Sequence, residues 1–495
     1  MGAKEEFLTR VNDLYRFEAI QGHLGWDQET VMPSKGAEAR GEILAWLAGQ
    51  RHSRLIDEEM GSLISELEGE NHDGFFAANL KEMRRKYDEA IKLPTEFVSK
   101  FTKVRSQALV AWQKARSDSD FSQFAPHLQK LIDLTHEKIE YLGCENTPYD
   151  VLLDEYEVGM TVNDYDPLFS GLKARLVPLL SRIMESNVVI PRLPSDMTFP
   201  IDGQEIFCSK VSKAMGFDFE AGRMDRSTHP FCAGIWPNDT RFTTRFDEKD
   251  PFSCLYAVMH ESGHGLYEQG LPSEHTYSPA GSAISLGVHE SQSRFWENQI
   301  GRTSAFWHIA MPWFREQFPD CPDWSSDVLD LVANEVKPDF IRVEADEVTY
   351  NLHIMIRYEI EKMIFNGNLK VEDIPRTWNT MMSEWFGIEV PNDSLGCLQD
   401  IHWSMGAFGY FPTYTLGNLY AAQLLQTMAI ELGDIDEIVK SGDWSSMLDW
   451  LREKIHAKGS VLTPSELIES ATGSAPSPEP FLNYVEEKYS KLYNL

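Results

Sequence analysis

Over most of the chain, the hydrophobic positions repeat with the period of an α-helix. Apolar residues recur at helical spacing in EEFLTRVNDLYRFEAIQGHL (5–24), HLQKLIDLTHEKIEYL (127–142) and NLHIMIRYEIEKMIF (351–365). The strict alternation of apolar and polar residues that is typical of half-buried strands is rare. The pattern therefore predicts a mainly α fold.

Two regions interrupt the helical pattern. The three prolines of VVIPRLPSDMTFPIDGQE (188–205) predict a crossover between two helical halves, because the segment stays too apolar for a flexible linker. Next, GRMDRSTHPFCAGIW (222–236) and NDTRFTTRFD (238–247) are rich in Thr, Phe and Ile and are separated by turn residues. They predict a small antiparallel β-sheet, and GSAISLG (281–287) is a candidate for one more short strand.

The domain organisation follows from these interruptions. The chain contains no internal repeat and no low-complexity tail. We therefore expect a single domain over residues 1–495, with an N-terminal helical half of about 1–190 and a catalytic half of about 200–495.

Charge and cysteine usage limit the partners. The chain has 77 acidic and 45 basic residues and a formal charge of −32, so its surface repels nucleic acid and anionic membranes. No stretch of 18 apolar residues occurs, and MGAKEEFLTR at the N-terminus lacks the apolar core of a secretory signal. The six cysteines form no CxxC pair and are typical of free thiols in a reducing compartment. We expect a soluble, cytoplasmic protein.

The segment VMHESGHGLYEQG (258–270) carries the strongest candidate chemistry. His260 and His264 are four residues apart and share one face of a helix, which lets both imidazoles bind one zinc ion at about 2.0–2.1 Å. Glu261 is close enough to reach a metal-bound water without being a ligand. The alternative is an ordinary helix with two histidines, since this pattern arises by chance in roughly one or two chains per hundred of this length.

A third ligand would distinguish these two interpretations, because a catalytic zinc keeps three protein ligands and one open position. Glu290 lies in SLGVHESQSRFWEN (285–298), which is predicted to begin a second helix. His289 is the alternative ligand in the same segment. Its neighbourhood is more typical of a histidine that packs behind a ligand or in the core.

Seven short segments support the metal interpretation by their order along the chain. They are WDQETVMPSKG (26–36), HPF (229–231), DTRFT (239–243), HESGH (260–264), HESQ (289–292), IRVEAD (341–346) and GCLQDIHW (396–403). Together they resemble the carboxypeptidase Taq family of HExxH-type metallocarboxypeptidases, over nearly the whole chain. The resemblance implies a large zincin-like helical peptidase fold with a deep central groove, a small sheet beside the zinc helix, and a homodimer.

The resemblance also implies the metal site and its base. His260, His264 and Glu290 would bind Zn²⁺, for which Co²⁺ is a plausible substitute because the same nitrogen and oxygen ligands suit both ions. A metal-bound water would be the nucleophile. Glu261 would take its proton and return it to the leaving amine.

The segment QDIHWSMGAFGYFPTY (399–414) is expected to supply the hydrogen-bond donors for the oxyanion. We predict His402 and Tyr410 for this role, and a packed aromatic role for Tyr414. Gln399 and Asp400 are expected to orient His402.

Recognition of a free C-terminus requires a cation. Arg342 in IRVEAD is the candidate, because its planar guanidinium binds a carboxylate through two hydrogen bonds. The alternative is a structural salt bridge to Glu344, Asp346 or Glu347.

The predicted strands supply candidates for binding the peptide. Asp239, Arg241 and Thr243 are expected on an edge strand that pairs with the substrate backbone. Arg241 is equally suited to holding Asp239. His229 is expected either to line the site near the metal or to position the Pro turn of HPF.

The sequence therefore predicts a zinc-dependent metallocarboxypeptidase that removes C-terminal residues from peptides, and the family resemblance implies a broad side-chain preference. The nearest alternative is an HExxH oligoendopeptidase, against which IRVEAD and GCLQDIHW argue. A catalytically inactive peptide-binding protein is the other alternative, against which the intact HESGH segment argues.

Overall fold

The computed structural model describes residues 2–72 and 74–495, and these residues form twenty α-helices and three strands. The first ten helices are α1 Ala3–Thr30, α2 Ala37–Leu55, α3 Glu58–Leu67, α4 Gly74–Lys92, α5 Thr95–Asp118, α6 Ala125–Leu142, α7 Pro148–Asp154, α8 Val162–Met184, α9 Ile201–Met215 and α10 Pro251–Gly270. The other ten are α11 Leu286–Arg294, α12 Ser304–Gln317, α13 Ser326–Ala333, α14 Tyr350–Phe365, α15 Ile374–Phe386, α16 Pro412–Leu432, α17 Ile435–Ser441, α18 Ser445–Lys454, α19 Pro464–Thr472 and α20 Glu479–Tyr493. The strands are β1 Gly222–Arg226, β2 Cys232–Trp236 and β3 Asp239–Thr244. The mainly α prediction is confirmed.

The helical periodicity located individual elements well. The predicted helices at 5–24, 127–142 and 351–365 lie within α1, α6 and α14. In α6 the buried residues recur every three to four positions, as in Leu128, Leu131 and Thr135. Burial of this apolar face fixes the helix in the core.

The chain folds into two compact units, each assembled from three separate segments. The first unit comprises Met1–Ile91, Ile190–Ala333 and Tyr420–Pro476. The second comprises Lys92–Val189, Asn334–Leu419 and Ser477–Leu495. The proline-rich segment 188–205 contains the step from one unit to the other, and it forms no helix before Ile201. The single-domain organisation stays a prediction.

The small sheet belongs to the first unit, and its strand order is β1–β3–β2. The expected antiparallel pairing holds for β2 and β3, but β1 and β3 are parallel. The reason is the connection 227–231, which carries the chain from β1 to the far edge before β3 returns between them. The sheet is therefore mixed, and the stretch 222–236 contains two strands instead of one.

The prediction of a strand at 281–287 is wrong. Pro279–Gly281 forms a 3-10 turn, and Ser285 then caps α11 by accepting a hydrogen bond from the Val288 N–H group. A capping serine before apolar residues starts a helix, which overrides the short apolar alternation.

Two further expectations concern the cysteines and membrane-spanning helices. All six cysteines are free thiols. Among the described residues, no helix combines the length and the apolar character needed to cross a bilayer.

Candidate active site

Helix α10 presents the two histidines of HESGH from the first unit. It begins after Asp250, whose carboxylate accepts hydrogen bonds from the N–H groups of Phe252 and Ser253, and Pro251 occupies its first turn. The cap and the proline fix where the helix starts. His260 and His264 then lie one turn apart on the same face.

Glu290 on α11 completes a cluster with the two histidines. One ligand atom from each of His260, His264 and Glu290 lies within 4.8 Å of the others. The Nε2 atom of each histidine is 3.5 Å from Oε2 of Glu290. Two imidazole nitrogens and one carboxylate oxygen form a donor set that suits a catalytic divalent ion, so the residues fit the expected metal.

Gly263 explains how α10 and α11 come close enough to form this cluster. A Cβ atom at this position would lie 2.6 Å from the carbonyl oxygen of Gln292 and 2.7 Å from Cα of Ser293. The two helix backbones therefore touch at Gly263, and Glu290 lies less than one turn away on α11. The glycine in HESGH allows the helix contact that brings the three residues together.

Replacing Gly263 by Ala is expected to lower stability by about 1–3 kcal/mol, because the new methyl group meets backbone atoms that must move apart. The displacement of α11 should also weaken metal binding. Thermal unfolding and a metal titration measure the two effects. Gly49→Ala in α2 is the matched control, since no atom lies within 4 Å of its added methyl group and helix propensity favours Ala. A Gly263→Ala protein that is as stable as wild type would contradict this account.

The Nδ1 atoms of His260 and His264, which face away from the cluster, contact other side chains. Nδ1 of His260 lies 2.9 Å from Oε2 of Glu297. Nδ1 of His264 lies 2.6 Å from Nδ1 of His289, whose Nε2 atom lies 2.7 Å from Oε1 of Glu268. These contacts fix the ring orientations and leave the Nε2 atoms facing the cluster. His289 lies behind His264, as predicted for it from the sequence.

Glu297 is a residue that sequence reasoning missed. It lies in a π-helical segment, Phe295–Gly301, that continues α11. Arg294 contacts both Glu290 (Nε to Oε1, 2.7 Å) and Glu297 (Nη1 to Oε2, 3.4 Å), and Arg302 donates to Oε1 of Glu297 at 2.9 Å. Burial opposes ionisation of Glu297, but Arg294 and Arg302 hold its pKa well below the usual range. The spacing 290, 294, 297 on one helix face was the signal that could have found this network.

The pKa of Glu261 is shifted in the opposite direction from those of Glu290 and Glu297. The Glu261 side chain is buried, and burial raises its pKa to about 7, although His260 opposes the shift. A carboxyl group with a pKa near neutrality can both accept and release a proton at physiological pH.

In the second unit, Arg342 is part of a buried cluster of charges. Its Nε and Nη2 atoms lie 3.1 and 2.8 Å from Oδ1 of Asp400, and Nη1 lies 3.1 Å from the Tyr350 hydroxyl. Arg357 binds the other oxygen of Asp400 through Nε at 2.8 Å and Nη2 at 2.5 Å. Two buried guanidinium groups therefore share one carboxylate.

This cluster corrects the expectations for Gln399 and Asp400, which do not orient His402. Asp400 is held by the two arginines. The Gln399 side chain accepts a hydrogen bond from the backbone N–H group of Arg342 at 2.8 Å and donates one to the backbone carbonyl of Phe340 at 2.8 Å. Buried guanidinium groups need a carboxylate partner, and this need exceeds that of a neutral imidazole.

Two of the three acids that are candidate structural partners of Arg342 have other roles. Asp346 accepts hydrogen bonds from the Val348 and Thr349 N–H groups at the start of α14. Glu347 pairs with Lys488 at 3.0 Å. The ion-pair partner of Arg342 is Asp400, which is 58 residues away along the chain.

His402, Tyr410 and Tyr414 lie together. The His402 ring is centred 5.0 Å from that of Tyr410, and its Nε2 atom is 3.5 Å from the Tyr414 hydroxyl. Burial lowers the pKa of His402 to about 4, so the imidazole is neutral at physiological pH. A neutral imidazole has one N–H donor.

Glu361 is a second residue that the sequence did not reveal. Its Oε1 atom accepts from Nε1 of Trp403 at 2.7 Å, and Oε2 accepts from the Gly409 N–H group at 2.7 Å and the Tyr149 hydroxyl at 2.8 Å. Trp403 follows His402 directly, and Gly409 precedes Tyr410. This buried carboxylate therefore fixes both ends of the segment between them.

The candidates on the small sheet hold one another. Arg241 forms two hydrogen bonds with the carboxylate of Asp239, at 2.6 and 2.9 Å, which is the structural alternative considered for it. The hydroxyl of Thr243 is buried and lies 2.6 Å from that of Ser227. Ser227 also donates to the carbonyl oxygen of His229, whose side chain is exposed. The expectation that Asp239, Arg241 and Thr243 lie on an edge strand is wrong, because β3 lies between β1 and β2 and pairs with both. Roles for these residues in substrate binding stay predictions.

Comparison with known families identifies the chain. The family model of the carboxypeptidase Taq (M32) metallopeptidases matches residues 6–489. This chain belongs to the carboxypeptidase Taq family. The match extends through both units, so the resemblance read from the seven motifs is confirmed.

Curated relatives and solved structures of the carboxypeptidase Taq family agree with this result. Thermostable carboxypeptidase 1 of Thermus thermophilus is 42% identical over 481 residues, which is 94% of each chain. Carboxypeptidase 1 of Bacillus subtilis is 37% identical over 99% of each chain. The crystal structure of an M32 carboxypeptidase from Deinococcus radiodurans superimposes with a TM-score of 0.96 at 35% identity and covers both chains completely.

Membership in the carboxypeptidase Taq family establishes the class of activity. The protein is a metallocarboxypeptidase, a hydrolase that acts on peptides and depends on a divalent metal. In the described residues, the His260, His264 and Glu290 cluster is the group of side chains arranged to bind such an ion.

Proposed function

We propose that this metallocarboxypeptidase uses zinc, for which cobalt can substitute, and removes C-terminal residues with broad side-chain preference. The observation that carries the proposal is the cluster of His260, His264 and Glu290 beside the buried Glu261. Its two imidazoles and one carboxylate are the ligand set of one class of catalytic zinc peptidases.

The proposed chemistry divides between metal and protein. Zinc, when bound, acts as a Lewis acid that lowers the pKa of a water from about 15.7 to about 7. Glu261 takes the proton from the attacking water and delivers it to the leaving amine. The pKa of about 7 for this buried carboxyl supports both steps at neutral pH.

We propose that His402 and Tyr410 donate hydrogen bonds to the oxyanion of the tetrahedral intermediate. The neutral state of the buried His402 supports this role, because the imidazole keeps one N–H group and adds no charge. Each such donor contributes about 10²–10³-fold to the rate in comparable hydrolases.

We propose that Arg342 binds the free carboxylate of the substrate. Its support is electrostatic: Arg342 and Arg357 share the single carboxylate of Asp400, so the buried cluster keeps an excess positive charge. That charge is unusual in a chain of −32 and suits an anionic group. We assign Asp239, Arg241, Thr243 and His229 to the peptide-binding surface on the strength of the motifs alone.

Two properties of the whole molecule complete the proposal. A homodimer is proposed from the family resemblance. A cytoplasmic location is proposed because the chain is strongly acidic and its six cysteines are free thiols.

Mass spectrometry of an unstructured peptide tests the proposed function. The peptide is incubated in free-acid and C-terminally amidated forms, with and without a chelator. A ladder shortened from the free C-terminus, abolished by the chelator and restored by zinc or cobalt, is expected. Internal cleavage of both forms would favour an oligoendopeptidase, and bound metal without cleavage would favour a peptide-binding protein.

Arg342→Ala is expected to lower kcat/KM for free-acid peptides by about 10–100-fold, the size of one or two hydrogen bonds between charged groups. Any cleavage of amidated peptides should change much less, because they lack the carboxylate. Asp400 keeps Arg357 as its partner in this variant. Arg376→Ala, an exposed arginine, is the matched control. An equal loss on both peptide forms would show that Arg342 acts only structurally.

A further inference from the structure

The first unit contains an open cavity of about 660 Å³ between α1 and the end of β2. Trp236 and Tyr277 form one side, with their rings in an edge-to-face arrangement and 4.8 Å between centroids. Ile20 from α1 also lines the cavity and is 48% exposed, while Trp236 is 38% exposed. The cavity therefore offers aromatic and aliphatic surface to solvent.

The charged groups around the cavity are already paired. Asp239 at its edge is neutralised by the two hydrogen bonds from Arg241. Arg16 donates to Asp13 at 2.8 Å, and its guanidinium lies 5.3 Å from the centre of the Tyr277 ring. Because these charges are paired, an apolar or aromatic group suits the cavity better than an ion. The Arg16 guanidinium also favours an aromatic group, since a cation attracts the face of an aromatic ring.

Tyr277 occupies its place at a conformational cost. Its φ angle is +65°, in the left-handed region that bulky residues rarely adopt. Strained positions of this kind cluster at ligand-binding sites. A glycine would fit this backbone without strain, so the aromatic ring is the feature that distinguishes Tyr277.

Strand β2 links this cavity to the metal helix. A Cβ atom on Gly234 would lie 2.1 Å from Oε2 of Glu268, the residue one turn after His264 on α10. The same strand begins at Cys232, where burial and the carboxylates of Glu261 and Glu268 raise the pKa of the thiol. Trp236 ends the strand about 13 Å further on, at about 3.3 Å per residue.

The outer edge of β2 has no strand partner among the described residues. β2 is an edge strand of the sheet, and among the described strands it pairs with β3 alone. Extended peptides bind to such edges through main-chain hydrogen bonds, with side-chain pockets giving specificity. A peptide whose C-terminal end lies beside Glu261 would extend its upstream residues along β2 towards Trp236.

We propose that the cavity at Trp236 and Tyr277 is an upstream subsite for the peptide substrate. It takes an apolar or aromatic side chain about four residues N-terminal to the scissile bond, since strand and substrate rise by the same distance per residue. The proposal rests on the proposed function, because it needs a peptide trimmed from its C-terminus beside Glu261.

The test compares two free-acid hexapeptides that differ only in having Phe or Gly four residues upstream of the scissile bond. Wild-type enzyme is expected to favour the Phe peptide by roughly tenfold in kcat/KM, mainly through KM, as for one apolar group in a pocket. Trp236→Ala should bring this ratio close to one. Tyr277→Gly should do the same while it relieves the backbone strain, which separates loss of the ring from loss of folding. Trp46→Ala, which removes an exposed tryptophan of α2, is the control that keeps the ratio.

Each outcome separates this inference from the proposed function. Equal kcat/KM for the Phe and Gly peptides in wild-type enzyme would overturn the subsite even if no variant folded. So would a preference that persists in both Trp236→Ala and Tyr277→Gly. A tripeptide with the same C-terminal residues is too short to reach the cavity. If neither it nor the hexapeptides lose their C-terminal residue, the proposed function fails and the subsite fails with it.

Discussion

Glu261→Gln is expected to lower kcat by about 10²–10⁴-fold while the protein keeps its metal. The size is that of a positioned general acid–base group. The metal remains because the expected ligands are the two histidines and Glu290, and glutamine has the volume of glutamate without its proton affinity. Metal content by mass spectrometry and kcat on a free-acid peptide measure the two quantities on the same sample.

The matched control is Glu268→Gln on the same helix. Glu268 contacts His289, which contacts His264, so this variant should act through metal affinity, by about 10–100-fold. Excess zinc should therefore restore its activity and should not restore that of Glu261→Gln. A Glu261→Gln protein that purifies without metal, or one with nearly wild-type kcat, would refute the assignment of base and ligands.

The sequence predicted the metal cluster because its ligands follow a local rule. His260 and His264 share a helix face by spacing, and the ordered motifs supplied Glu290. The side chains that orient these residues follow no comparable rule, since Glu268 reaches His264 only through His289. Such contacts depend on how α10 and α11 cross, and helix crossing is decided by packing.

The pairing of Arg342 illustrates the same limit over a longer range. Glu344 and Asp346 were considered because they are close in sequence, but Asp400 is the partner in space. Asp346 is used by backbone N–H groups at the start of α14. Backbone N–H groups thus compete with the arginine for Asp346, and the linear pattern does not contain that information.

The fold was predictable where one interaction dominates. Long helices such as α1 and α14 follow from apolar periodicity, because a 3.6-residue repeat is maintained over many turns. The parallel pairing of β1 with β3 was not predictable, since it depends on the path of five connecting residues, 227–231. Short strands carry little information of their own, and tertiary contacts decide their direction.

Glu290, the expected third ligand, is the second residue whose replacement should have a large effect on activity. Glu290→Gln is expected to weaken zinc binding by far more than 100-fold and to abolish activity. The substitution removes a ligand and leaves Arg294, 2.7 Å from the Glu290 carboxylate, without this charge partner beside the site. Arg294 and the two histidines keep the pKa of Glu290 well below its usual range despite burial, so the wild-type side chain is ionised and ready to bind a cation.

His289→Ala is the comparison variant, because His289 is the alternative candidate for the third ligand. His289 contacts Nδ1 of His264 and lies one residue from Glu290, so it is exposed to the same local disturbance. Because His289 orients a ligand, its replacement should lower zinc affinity by about 10–100-fold, and excess zinc should restore activity. Zinc affinity measured by competition with a chelator distinguishes the two variants. If His289→Ala lost zinc irreversibly and Glu290→Gln retained it, His289 would be the third ligand, and α11 would present the metal with a histidine in place of a carboxylate.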